Sequence, residues 1–244
     1  MAYRNEILKV PLKKDAQKNT LVKYMSEEAV SAILKQPDIT TKKGIRDQFF
    51  MILMYDTGIR NREILDLCLR DFDAESKTPC VHVTGKGNKQ RIVPIMPKTV
   101  EHFKKYVEIY HPENNPDQFL FYSVRHGMIQ QMSDDNVARF MDIYNRKAKL
   151  ECREVPDHLH PHIWRHSRSI HLYRAGMPLP LLAEWLGHAQ LETTQIYAYA
   201  DTEMKRDAIK KATDKMNPLM LKEEKSCWKN ENSEELIRKL YGLR

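Results

Sequence analysis

Apolar residues fall at helical spacing over most of the chain and on alternate positions in one stretch. Ser26, followed by Glu27 and Glu28, reads as a helix start, and Val30, Ile33 and Leu34 supply an apolar face until Pro37 ends it. A second helix over 45–57 carries Phe49, Phe50, Ile52, Leu53 and Met54, apolar nearly all round, which predicts burial, and Gly58 is placed to cap it. Val100, Phe103, Val107 and Tyr110 make another stripe, ended by His111-Pro112, and P-E-N-N-P-D at 112–117 is a loop. Ser133 caps a longer helix in which Val137, Phe140, Met141, Tyr144 and Ala148 share one face, with Arg139, Arg146, Lys147 and Lys149 on the solvated side. From Cys80 to Ile95 the period changes to two, giving a β-hairpin in which Gly85, Gly87 and Asn88 should supply positive φ values, with Lys86 at the tip. Past Pro161 come three more helices. Ile163, Ile170 and Tyr173 mark the first, ended by Gly176; the second runs from Pro180 to Leu186 and ends at Gly187; the third begins near Glu192.

A length of 244 residues allows one large domain with tails and a sizeable core. Net charge +7 over 30% charged residues suits a polyanionic partner, although a merely basic surface accounts for the charge as well. Cys68, Cys80, Cys152 and Cys227 show no paired metal spacing, so free thiols in a reducing cytoplasm are expected. The N-terminus lacks an apolar core followed by a cleavage site, and the longest apolar run, Phe49 to Tyr55, is too short to span a bilayer. An intracellular, cytoplasmic protein without membrane contact follows. Residues 1–22 are basic and polar without a period, which reads as an arm or linker.

Candidate chemistry is spread along these elements. In T-G-I-R-N-R-E-I-L-D-L at 57–67, Arg60 opens a short helix at the junction of two packed ones, while Glu63, one turn on, offers the plainer alternative of a surface ion pair. The G-K-G tip around Lys86 lacks the phosphate-loop spacing and its following Ser or Thr, so a lysine reaching a backbone phosphate or a solvated turn lysine remain. H-L-H-P-H at 158–162 invites a metal, but no Cys pair, His-Glu-x-x-His or companion carboxylate helix completes a site. His162 and Arg165 are three apart in the first turn of a helix and share a face, where the positive helix start favours an anion. His188 falls on the turn after Gly187, with Trp185 and Leu186 as packing residues. Thr193 and Thr194 open the last of these helices, and only one of Tyr197 and Tyr199 can be aimed at the His–Arg cluster.

Taken together, T-G-I-R-N-R-E-I-L, the hairpin lysine, H-I-W-R, L-G-H and T-T-Q-I-Y, in that order, resemble the tyrosine recombinase (phage integrase) family from about Tyr24 to Asp201. The resemblance implies a mainly α catalytic domain over 23–200 with a small antiparallel β-sheet, and Arg60, Lys86, His162, Arg165, His188 and Tyr197 as the catalytic set, with Tyr197 and not Tyr199 as nucleophile. It implies a site-specific enzyme acting on double-stranded DNA through a 3′-phosphotyrosyl intermediate without metal or cofactor. Such an enzyme would be monomeric when free and tetrameric on DNA. Trp164 and Ser169 are unusual for the family and are expected to touch no catalytic position. A further departure is that residues 1–22 cannot encode the separate DNA-clamping domain that usually precedes the catalytic one, which reads as a fragment, a natural short form or a truncated remnant. Over 201–244 a basic helix runs to about Met216, and the stripe of Leu236, Ile237, Leu240 and Tyr241 is too short to stand alone, as expected for a tail that docks on a neighbouring protomer. The rival readings are a non-catalytic DNA-binding accessory factor and a type IB topoisomerase. The full set of site residues argues against the first, and the T-G-I-R and L-G-H…T-T-Q-I-Y spacing against the second.

Overall fold

The computed structural model describes residues 22–85, 87–188 and 192–199, together with Arg206 and Ile209. The chain divides into two compact units, Met1–Ala200 and Asp201–Arg244, and the elements named below belong to the first. Residues 1–21, Lys86 at the hairpin tip and the stripe of the terminal tail lie outside the described residues.

Three helices begin at a side-chain cap, from Ser26, Thr41 and Ser133, and three others begin with a proline in the first turn. In α1 (Glu27–Leu34) the Ser26 hydroxyl accepts from the Ala29 amide at 3.2 Å. Helix α2 runs from Lys42 to Thr57, earlier than its apolar run suggests, because the Thr41 hydroxyl at 3.0 Å from the Gly44 amide caps it there. Its Phe49, Phe50, Met51, Leu53 and Met54 are fully buried, and Gly58 closes it in the left-handed conformation. Phe49 meets the rings of Phe103, Tyr106 and Phe121, which joins α2 to α4 (Pro97–Tyr110).

Between α3 (Asn61–Leu65) and α4 lies a three-stranded antiparallel sheet of β1 (Phe72–Asp73), β2 (Cys80–Gly85) and β3 (Lys89–Pro94) in that order. Val81, Val83 and Val93 face the core while His82 and Ile92 point outward, so the alternation is real. Gly87 and Asn88 take positive φ as expected, but Gly85 does not. The ladder continues one pair further, to Gly85 opposite Lys89, so Gly85 is strand and not turn.

A second hairpin, β4 (Tyr122–Arg125) with β5 (Met128–Gln131), has no counterpart in the sequence pattern. Its Val124, Met128 and Ile129 are exposed, so alternation gives no signal. Helix α5 (Asp134–Glu151) buries the predicted face of Val137, Phe140, Met141, Tyr144 and Ala148. Helix α6 (Pro161–Arg174) packs on α2, on α7 (Leu179–Leu186) and on α8 (Glu192–Tyr199). The architecture is mainly helical with small antiparallel sheets. Among the described residues no helix is long and apolar enough to cross a membrane.

Candidate active site

The ends of α2 and α7 both stop at a left-handed glycine, Gly58 and Gly187, and so leave carbonyls that no helical amide satisfies. Arg165, one turn into α6 and buried, takes them. Its Nη1 donates to the Gly58 carbonyl at 2.8 Å and its Nη2 to the Leu186 carbonyl at 2.6 Å. Among the described residues no carboxylate lies within ion-pair distance of this guanidinium. Burial first, and then repulsion from Arg60, lower its pKa to about 10.

Arg60 is the residue before the first turn of α3, at the predicted junction. The carboxylate of Glu63 accepts from the Arg60 amide at 2.8 Å and from its Nη1 at 2.9 Å, so junction and ion pair are both present. Glu63 is itself buried and gripped from the other side by Arg91 of β3, which donates Nη2 at 2.8 Å and Nη1 at 3.1 Å. Burial raises the Glu63 carboxyl, but the hydrogen bonds from Arg91 and the Arg60 amide outweigh it and hold the group below its ordinary range. The Arg91 Nε donates to the Trp185 carbonyl at 3.1 Å, and the guanidinium passes so close to Gly187 that a Cβ there would lie 3.0 Å from it. One arginine thus ties the hairpin, the Arg60 turn and the L-G-H turn together. Trp185, expected only to pack, also donates its indole N–H to the Thr57 carbonyl at 2.7 Å.

Tyr197 on α8 is 1% exposed, against Ile170, Leu182 and Leu186. Its hydroxyl is 3.0 Å from Nδ1 of His166. Burial raises the phenol pKa, opposed by a hydrogen bond with Ser169 and by the charges of Arg165 and Arg60. Ser169 therefore does touch a candidate catalytic group, contrary to expectation: one turn after Arg165 on the same helix, its hydroxyl lies on the face that α8 covers. His188 sits 2.8 Å, through Nδ1, from the hydroxyl of the buried Thr194, joining the L-G-H turn to α8. Its pKa falls to about 4, from burial first and then Arg165, Arg60 and Arg91. The same value, about 4, holds for His166, from burial and then His162, Arg165 and His160.

The site therefore gathers Arg60, Arg165, His188 and Tyr197, with neutral imidazoles among cations. His162 stays exposed at the start of α6, its ring 6.5 Å from that of His166, so it shares the region without meeting Tyr197. Lys86 and the side chain of Tyr199 lie outside the described residues. Sequence reasoning missed Arg91, His166 and Ser169. His166 follows Arg165 directly and lies one turn from His162, a spacing that would have found it. Arg91 offers no such signal, since its partners stand far off in the chain.

The sequence matches the phage integrase family over residues 23–204. Tyrosine recombinase XerD of Staphylococcus epidermidis is 33% identical over 194 residues, 78% of this chain and 61% of that protein. Tyrosine recombinase XerA of Pyrococcus furiosus is 31% identical over 193 residues, 79% of this chain and 63% of that protein. The chain thus spans about three fifths of the length of these relatives. Among solved structures, the XerH site-specific recombinase bound to palindromic difH substrate, in a post-cleavage complex, superposes with a TM-score of 0.66 at 24% identity, over 84% of this chain and 58% of that one. On this evidence the chain belongs to the phage integrase family of tyrosine recombinases.

Proposed function

We propose that residues 23–200 are the catalytic domain of a site-specific DNA recombinase that breaks and rejoins strands through a 3′-phosphotyrosyl intermediate, with 1–22 as a basic arm and 201–244 as a tail that docks in trans. One observation carries the reading: beside a buried tyrosine, a buried guanidinium is fixed by two carbonyls and has no carboxylate partner among the described residues. A buried cation in that state needs an anion, and a phosphodiester supplies one.

In the proposed reaction Arg165 and Arg60 bind the non-bridging oxygens and stabilise the charge that grows on them. The Tyr197 oxygen attacks phosphorus while its proton passes to Nδ1 of His166, which requires the tautomer with hydrogen on Nε2. The bond to the 5′ oxygen breaks, and Lys86 supplies that oxygen's proton. His188 donates to a phosphate oxygen, with Thr194 fixing its other nitrogen. His162, on the exposed start of α6, assists proton transfer from the DNA side. Attack requires a shift of α8, because the phenol is 1% exposed. Phosphate charge also offsets part of the cationic repulsion that, after burial, keeps His166 near 4, so DNA makes it a better base. The 5′-hydroxyl of a partner strand then reverses the step.

Double-stranded DNA is the partner, and a tetramer formed on DNA from free monomers in the cytoplasm is the proposed assembly. The test uses duplexes with randomised arms, each carrying a nick beside the scissile position so that the short 5′-hydroxyl product escapes. A protein–DNA adduct linked through the 3′ phosphate and formed in the presence of a chelator is expected. DNA binding with no adduct at any sequence would favour an accessory factor instead. If deleting 230–244 left assembly on DNA unchanged, the docking role of the tail would be wrong.

A further inference from the structure

We propose that Asp73, Cys80 and His82 form a binding site for a borderline-soft divalent cation, zinc fitting best, on the outer face of the three-stranded sheet. The register of the sheet builds it. Asp73 of β1 pairs directly with Cys80 of β2, and His82, two residues further along β2, points to the same face as Cys80. One donor atom from each residue lies within 4.8 Å of the others, and Cys80 Sγ is 3.9 Å from His82 Nε2. A tetrahedral zinc ion with bonds of about 2.3 Å to sulfur and about 2.0 Å to nitrogen holds those two atoms about 3.5 Å apart, so a few tenths of an ångström bring Cys80 and His82 to it, and a rotation of the Asp73 side chain brings in the carboxylate.

Donor chemistry selects the ion. Thiolate, imidazole and carboxylate together suit zinc and its neighbours in the transition series and do not suit magnesium or calcium, which take oxygen. The carboxylate is already oriented, since Asp73 Oδ1 accepts from the amides of Glu75 at 3.3 Å and Ser76 at 3.1 Å, the kind of outer bond that steadies a metal ligand. Cys80 is 8% exposed and His82 open to solvent, so an ion can enter and keep water in its fourth position. On binding, the thiol releases its proton to solvent. Cysteine spacing gives no hint of this site, because only one of its ligands is a cysteine.

The site lies at the end of the hairpin away from its turn, where Cys80 pairs with Pro94, and so is separate from the proposed chemistry. Strand β1 is held to β2 by only two paired residues, Phe72 with Val81 and Asp73 with Cys80. An ion bridging Asp73 to Cys80 and His82 would fix that short edge strand.

The test titrates the full chain, stripped with a chelator, with cobalt(II) and then displaces it with zinc. The wild type should show a sulfur-to-cobalt charge-transfer band with the visible bands of tetrahedral cobalt. Cys80→Ser should lose the charge-transfer band, whereas Cys68→Ser, Cys152→Ser and Cys227→Ser should keep it. His82→Ala and Asp73→Asn, on the exposed face and checked for unchanged circular dichroism, should each weaken binding by more than the ~10–100-fold that loss of an outer-shell partner costs. Three outcomes would overturn the proposal: no band in the wild type, a band surviving Cys80→Ser, or a band that needs Cys80 but is indifferent to both His82→Ala and Asp73→Asn. Because the readout is spectroscopic and the strand-breaking test runs in chelator, either proposal can fail alone.

Discussion

Arg91 holds Glu63 by two parallel bonds, Nη2 to Oε2 at 2.8 Å and Nη1 to Oε1 at 3.1 Å, and through that carboxylate it fixes Arg60. The side chains of this pair are only 13% and 7% exposed, so removing one partner strands a buried charge. Arg91→Met and Glu63→Gln should each cost about 3–5 kcal/mol in urea unfolding, and the double variant less than their sum. Simple additivity would mean that the pair does not act as a unit. The Glu63 carboxyl is held below its ordinary 4.5, so its contribution is full above that pH and is lost as acid carries the protein through the lowered value.

Gly58 and Gly187 separate backbone strain from crowding. Both have positive φ, 62° and 66°, so alanine at either should cost about 1–2 kcal/mol from conformation alone. At Gly58 a Cβ would meet ordinary contacts of 3.5 Å, whereas at Gly187 it would lie 3.0 Å from the Arg91 guanidinium. Gly187→Ala should therefore lose more stability in thermal melts, and also slow DNA cleavage, because Arg91 must give way. Equal losses at the two positions would contradict this.

Two histidines give the fold an acid sensitivity of predictable sign. His166 and His188 sit near 4 in the fold against an ordinary 6.5, so between those values the unfolded chain binds protons that the folded chain refuses. Stability should fall as pH drops from 6.5 toward 4, and the fall should be shallower in His166→Gln, as read from urea midpoints across that window. A flat profile in the wild type would show that these imidazoles take up protons in the fold as readily as in the unfolded chain.

Arg165 holds the site together through the Gly58 and Leu186 carbonyls and, in the proposed reaction, also binds the phosphate. A lysine there cannot hold the Gly58 and Leu186 carbonyls and still face an anion. Arg165→Lys should cost about 1–3 kcal/mol of stability from an unsatisfied buried carbonyl. It should slow adduct formation by roughly 10²–10³-fold, as expected when one donor to a growing negative charge is lost. A variant as fast as the wild type would remove Arg165 from the mechanism.

Helices were legible wherever an apolar stripe followed a cap, as with Ser26 and Ser133, because both signals are local. The hairpin β4–β5 was not, since its exposed Val124, Met128 and Ile129 break the inward and outward alternation. In the candidate site, the motifs that carry the family resemblance named Arg60, Arg165, His188 and Tyr197, which the fold brings into one region, but not the partners that surround them. Arg91 meets Glu63 and the Trp185 carbonyl across 28 and 94 residues of chain, a relationship that only the folded sheet creates. His166 differs: its spacing from His162 is visible in the chain, but only the packing of α8 on α6 makes it, and not His162, the imidazole that meets Tyr197.

The most direct measurement compares wild type, Tyr197→Phe and Tyr199→Phe on nicked duplexes with randomised arms, in chelator, and scores the protein–DNA adduct on a denaturing gel. An adduct is expected in the wild type and in Tyr199→Phe and none in Tyr197→Phe, with DNA binding retained in all three. An adduct that survives in Tyr197→Phe would show that strand breakage does not use the phenol held between His166 and Ser169.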